Sequence, residues 1–159
     1  TFEGGAFTCV TYSLKHIAGG TWDGSITIIN SQTGNISKTF QGSEISINSI
    51  VFSPDGKILV TGGADKILRL WDTVHFRLIK SISGHDGTIM SLLFNKNNEL
   101  LFSAGSDRTI KIWNLKTGIL LKTLTQEIGS IYSIDLSSNG KKLLSGSWDG
   151  KIRIWNTGI

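Results

Sequence analysis

The chain has 159 residues, 39% hydrophobic and 18% charged, with a net charge of +4, which is the make-up of an ordinary globular chain long enough for one domain. A single cysteine, Cys9, excludes an internal disulfide. With no leader of basic, apolar and small residues and no apolar run of about 18 residues, nothing marks the chain for secretion or for a membrane, so a reducing compartment, cytoplasm or nucleus, is expected. An isoelectric point near 9.3 raises nucleic acid as a partner. The 16 Lys and Arg are nevertheless spread one or two per strand and turn, with Lys141-Lys142 the only adjacent pair, and they read as solvated outward faces that keep strand edges from pairing.

In chain order, Cys9 falls in an apolar strand and reads as a buried, inert thiol, and a strand is expected over 36–40 after a Thr-Gly turn. The next strand, 47–52, enters the tight turn Pro54-Asp55-Gly56, whose proline has a fixed φ useful there. Strands over 58–61, 68–71 and 78–82 follow, and 68–71 alternates leucine with Arg69 and Trp71 at period two. The same order returns as 89–94, the turn at Asn97-Asn98, then 100–103, 109–113 and 120–124. It returns again as 131–136, the turn Asn139-Gly140, then 143–145 and 152–155. No stretch carries the i, i+3, i+4 spacing of an amphipathic helix. The fold class is all-β.

The recurrence has a fixed period. Asp23, Asp65, Asp107 and Asp149 stand 42 residues apart, each inside a Gly-rich turn and each followed seven residues later by Asn30, Asp72, Asn114 or Asn156. Three repeats close in Trp plus an acid or its amide: Trp71-Asp72, Trp113-Asn114 and Trp155-Asn156. A period of about 40–45 residues with this ending is the sequence form of a four-stranded propeller blade, and the chain resembles the WD-repeat β-propeller family over nearly its whole length. The resemblance implies a segment of four four-stranded antiparallel blades, roughly 1–40, 41–82, 83–124 and 125–159, with the last incomplete. Propellers close with about four to eight blades, so the chain reads as part of a longer propeller; a second copy completing a ring, or a small ring whose termini share one strand, are the other closures.

The resemblance also assigns residues. In this family a Trp on the third strand, a hydroxyl on the second, a His before the first and the turn Asp form one hydrogen-bonded chain. The third repeat carries all four as His85, Ser103, Asp107 and Trp113. The second keeps Thr61, Asp65 and Trp71 with Ser43 in place of His; the fourth keeps Ser145, Asp149 and Trp155 with Glu127 there. The first has Gly19 for the hydroxyl, Ile29 for Trp and a shortened 1–5 segment, so one blade alone reads as fully locked. Partner-facing positions carried over from the family are the residue before each turn Asp and those flanking the first apolar residue of each first strand. Here they include Trp22, Asn48, Met90, Ser106, Tyr132 and Trp148, with Arg108 beside them as a contact for an acidic partner.

No motif for nucleophilic, phosphate-binding or dinucleotide chemistry occurs, and His16, His75 and His85 have no Cys or carboxylate at metal-ligand spacing. The expected function is a scaffold or adaptor without catalysis, metal or cofactor, binding a peptide or protein on its rim. An adaptor associated with RNA or chromatin is the second reading.

Overall fold

The computed structural model describes residues 6–125 and 128–158; the expectations that fall on 1–5, on Glu127 and on Ile159 lie outside them. Among the described residues the chain forms fifteen strands and no helix, arranged as four antiparallel sheets. Blade one holds β1 (Phe7–Tyr12), β2 (His16–Thr21), β3 (Ser25–Asn30) and β4 (Ile36–Gln41). Blade two holds β5 (Ile47–Phe52), β6 (Ile58–Gly63), β7 (Ile67–Asp72) and β8 (Leu78–Ser83). Blade three holds β9 (Ile89–Phe94), β10 (Leu100–Gly105), β11 (Thr109–Asn114) and β12 (Leu120–Thr125). The last sheet has three strands, β13 (Ile131–Leu136), β14 (Lys142–Ser147) and β15 (Ile152–Asn156). Each sheet is a meander in chain order.

Both faces of an inner blade are covered, which is why its strands alternate two kinds of buried residue rather than core and solvent. Between blades one and two, Ala18, Ile26 and Ile28 meet Ile47, Ile50, Phe52, Leu59 and Trp71. The same halves recur between blades two and three, where Val60, Leu68 and Leu70 meet Ile89, Leu92, Phe94, Leu101 and Trp113, and between three and four, where Phe102, Ile110 and Ile112 meet Ile131, Ile134 and Leu143. The first strands line the inner side, β1 against β5, β5 against β9 and β9 against β13.

Two hydrogen bonds repeat across these junctions. The hydroxyl Oγ of Ser49 accepts the Leu92 N–H at 3.0 Å and that of Ser91 accepts the Ile134 N–H at 3.3 Å. Cys9 stands at the register of Ser49, opposite Gly20 as Ser49 is opposite Gly62, with its Sγ 3.6 Å from the Ile47 carbonyl. Burial pushes the half-buried Cys9 thiol up, away from the reactive thiolate. The second repeat comes from the outermost strands, where Lys38 donates to the His75 carbonyl at 2.7 Å, Lys80 to that of Thr117, and Lys122 to that of Thr157 at 3.0 Å.

The second strands run longer than the sequence indicates, because the glycines that look like breaks stay in the sheet. A Cβ on Gly63 would come within 1.9 Å of the Ser46 carbonyl oxygen and one on Gly62 within 2.8 Å of Ile89, so glycine is what lets β6 reach Gly63 against the neighbouring strands.

Candidate partner-binding rim and blade networks

At one end of the blades, the turn joining second to third strand folds back onto the start of the first strand. The N–H of the residue before each turn Asp donates to the carbonyl just ahead of the first strand: Trp22 to Ala6 at 3.1 Å, Ala64 to Ser46 at 3.0 Å, Ser106 to Thr88 at 2.9 Å and Trp148 to Ser130 at 2.9 Å. This bond holds four equivalent side chains on the same rim. Two are tryptophans left in solvent, Trp22 at 69% and Trp148 at 73% exposure, and Ser106 is exposed too. Beside them, each first strand carries a register shift at its second residue, between Phe7 and Cys9, Ile47 and Ser49, Ile89 and Ser91, and Ile131 and Ser133. Such a bulge re-aims the extra residue, and the residues concerned are Thr8, Asn48, Met90 and Tyr132. Asn48 and Met90 are half-buried and Tyr132 is exposed. The Asn48 Oδ1 accepts from the Ser46 hydroxyl at 3.0 Å.

One residue past each turn Asp the backbone is left-handed. Glycine fills this place in blades one and four, with φ of 83° at Gly24 and 76° at Gly150, whereas Lys66 and Arg108 adopt 69° and 67°. A side chain there costs roughly 1–2 kcal/mol of strain, so two exposed basic residues are kept where glycine fits freely.

Behind the rim lie the Asp networks. In blade three, the Trp113 Nε1–H donates to Ser103 Oγ at 2.8 Å, Ser103 Oγ is 2.6 Å from His85 Nε2, and His85 Nδ1 is 2.8 Å from Asp107 Oδ2. An indole only donates and a carboxylate only accepts, so with a neutral imidazole the ends fix the direction: Nδ1–H to Asp107 and the Ser103 hydroxyl proton to Nε2. Asp107 also accepts the backbone N–H of Asp86 at 3.0 Å and of Thr109 at 3.1 Å. Burial pushes its carboxyl up, but the hydrogen bonds from His85, Thr109 and the Asp86 N–H outweigh that and hold it far below the usual carboxylate range.

Blades two and four reach the same end without His. The Trp71 Nε1–H donates to Thr61 Oγ1 at 3.1 Å and Trp155 Nε1–H to Ser145 Oγ at 2.8 Å. Asp65 accepts from the Ser43 hydroxyl at 2.9 Å and from Arg69, while Asp149 takes both Arg153 nitrogens, Nη1 at 3.1 Å and Nη2 at 2.6 Å. The Arg153 fork comes first in holding the Asp149 carboxyl well below its usual range, followed by the Ser147 hydroxyl. In blade three the residue at this place, Lys111, donates instead to the Gly84 carbonyl.

These contacts correct one expectation. The bases on the third strands are not a solvated face, since the Arg69 and Arg153 side chains are only 19% and 25% exposed and close on the turn acids. Those bases are covered because the face that carries them, the face of Trp71 and Trp155, packs on the preceding blade, so a long side chain at period two lies against protein. Blade three alone holds the unbroken Trp–Ser–His–Asp chain, as expected; in blades two and four the Trp–hydroxyl pair and the contacts of the turn Asp are separate. Trp155 also differs from the other two strand tryptophans: Trp71 and Trp113 are buried, whereas Trp155 is half-buried. Blade one, with Gly19 and Ile29, replaces the network by a local one in which Thr21 Oγ1 bonds Asp23 and accepts the Ser25 N–H at 2.9 Å. Among the described residues no group of three or more His, Cys, Asp or Glu is placed to hold a metal, and no helix is long and apolar enough to cross a membrane.

The profile of the WD domain, G-beta repeat family matches residues 34–72, 76–114 and 118–156. The chain belongs to the WD-repeat family. Each matched WD repeat begins ahead of the outermost strand of one blade and ends in the third strand of the next, so the unmatched stretch is blade one up to β3, where Ile29 replaces Trp. Among curated proteins, a p21-activated protein kinase-interacting protein 1-like protein of Xenopus laevis is 32% identical over 74 residues, 46% of this chain and 20% of that protein. The small ribosomal subunit protein RACK1y of Oryza sativa subsp. japonica is 28% identical over 79 residues, 47% of this chain and 24% of that protein. The general transcriptional corepressor TUP1 of Saccharomyces cerevisiae is 43% identical over 37 residues, 23% of this chain and 5% of that protein. The WD-repeat chain thus spans about a fifth of the length of the first relatives it matches.

Proposed function

We propose that this WD-repeat chain is a non-catalytic scaffold that holds a peptide or protein partner across the rim carrying Trp22 and Trp148. The observation that carries the reading is the pair of solvent-exposed tryptophans at equivalent turn positions, each fixed by a backbone bond to the neighbouring first strand. A rigidly held, exposed Trp supplies large contact area at small entropic cost, and Trp and Tyr are the commonest interface anchors. Met90 and Tyr132 extend the apolar surface on the inner side, with Asn48, Ser106 and Arg108 as polar flanks. The retained left-handed strain at Lys66 and Arg108 fits a rim whose side chains are kept for contact.

Relatives support the coarse reading: the frog protein is named for interaction with a protein kinase, and the rice one as a ribosomal subunit protein. Catalysis is disfavoured by the state of the hydroxyl that, among the described residues, has His and Asp behind it. Ser103 is fully buried and bonded on both sides by His85 and Trp113, so no substrate carbonyl reaches it. The nucleic-acid alternative loses ground because six bases, Arg69, Lys111, Arg153, Lys38, Lys80 and Lys122, are engaged within the protein.

The test is capture of partners by the wild-type chain and by a Trp22→Ala, Trp148→Ala double variant with equal thermal stability. Partners retained by the first and lost by the second are expected. An identical partner set would remove the rim from the reading.

A further inference from the structure

The opposite rim, where first strands turn into second strands, breaks the repeat in one place. Opposite Asn30, Asp72, Asn114 and Asn156 the second strands begin at His16, Ile58, Leu100 and Lys142. Three of the turns leading there hold four residues, 54–57, 96–99 and 138–141, but that of blade one holds only Leu14 and Lys15. The two missing residues leave a notch of about 730 Å³ between this turn and the longer turn of blade two, against about 310 Å³ and 440 Å³ at the next two junctions.

The notch has its own chemistry. Leu14 and Val74, 96% and 79% exposed, stand on its two sides. Its floor includes His16, whose ring stacks 6.3 Å from that of Phe52 and meets Phe76 edge-on at 5.2 Å. Among the described residues, His16 Nδ1 is the buried side-chain polar atom that lacks a hydrogen-bond partner. Lys15 and Lys57 supply positive charge. The acid in the same lining, Asp55, is already occupied by the Ser53 hydroxyl at 2.7 Å and the Lys57 N–H at 3.1 Å, with Lys57 Nζ 3.8 Å away.

We propose that this notch is a second docking site, for an extended acidic peptide segment that seats one leucine- or phenylalanine-sized side chain between Leu14 and Val74 with its carboxylates facing Lys15 and Lys57. The apolar walls take the anchor, and the cations choose the partner's sign and speed its approach. The imidazole, neutral near pH 7 because burial and then Lys15 lower its pKa, can give or take one more hydrogen bond from the peptide once its ring turns over. Asp55, Lys15, Lys57 and Tyr12 are the titratable groups that share the lining with it.

Fluorescence anisotropy with the 159-residue chain and labelled ten-residue peptides tests this. One peptide carries a Phe flanked by four Asp, the second has the Asp changed to Asn, and a ten-nucleotide thymidine oligomer is the third probe. The acidic peptide is expected to bind at least tenfold more tightly than the Asn peptide and to move the His16 ring resonances. Lys15→Glu and Lys57→Glu should each weaken it at least fivefold, whereas Lys96→Glu, on the corresponding turn of blade three, should not. Far-UV circular dichroism confirms that the exposed-turn variants remain folded. Lengthening the short turn to the Pro-Asp-Gly-Lys of blade two fills the notch and should abolish binding. Equal affinity for the two peptides, indifference to both charge reversals, or binding of the oligonucleotide in place of the acidic peptide would overturn the proposal.

Discussion

Each turn Asp in this chain meets the same demand, a carboxylate next to a tight hairpin whose lone pairs need donors, and the blades meet it with different donors. Blade three uses His85, blade two Arg69 with Ser43, blade four the Arg153 fork with Ser147, and blade one Thr21. Ser103→Ala should therefore cost about 1–2 kcal/mol in urea unfolding, since it strands His85 Nε2 and the Trp113 N–H together. Arg153→Lys should recover only part of what Arg153→Ala loses, because an ammonium cannot reproduce the two-pronged contact. Asp107 has a depressed folded pKa, so its contribution is present above the unfolded value of about 3.9 and is lost as pH falls below it. Acid titration should accordingly show a shallower loss of stability below about pH 4 for Asp107→Asn than for the wild type. An unchanged acid limb would separate Asp107 from the stability of the blade. The Asp and Trp members were readable from their 42-residue spacing and the hydroxyls from the family resemblance, but the arginines were not. Their period-two placement is the same whether the far face meets water or a neighbouring blade.

Among elements, the first strands are the most legible. The apolar runs 47–52, 89–94 and 131–136 are bounded by turn residues on one side and polar residues on the other, and β5, β9 and β13 have those limits. Less was visible where glycine extends a strand, as at Gly62 and Gly63, and where a bulge re-aims one residue, because a bulge depends on what lies across the ladder rather than on local preference. Burial then separates the tryptophans. Trp113, 3% exposed, fills the junction with blade two, and Trp113→Ala should cost about 3–5 kcal/mol. Trp22→Ala should change stability by no more than about 0.5 kcal/mol. Lys66→Gly should stabilise the chain by up to about 1 kcal/mol, as relief of the left-handed strain exceeds the added backbone entropy. A destabilised Lys66→Gly would show that its side chain holds the turn.

The molecule as a whole is one junction repeated. Equivalent apolar halves, the Ser49 and Ser91 hydroxyls and the Lys38, Lys80 and Lys122 bonds recur from blade to blade, which keeps equivalent rim residues in equivalent places. On the far face of the last sheet, Ile152 and Ile154 are exposed, whereas Ile110 and Ile112, their counterparts one blade earlier, are fully buried. The sequence period made the fold legible and the family resemblance supplied the rim positions; the notch on the opposite rim was not legible, because it comes from two residues missing in a single turn. An aromatic rim that holds a protein partner is tested by titrating a captured partner into wild-type and Trp148→Ala chains at low and high salt. The variant should lose about 2 kcal/mol or more, roughly 30-fold in Kd, with only a weak salt dependence. Unchanged affinity in Trp148→Ala, together with wild-type binding that collapses as salt rises, would contradict it and point to a nucleic-acid partner instead.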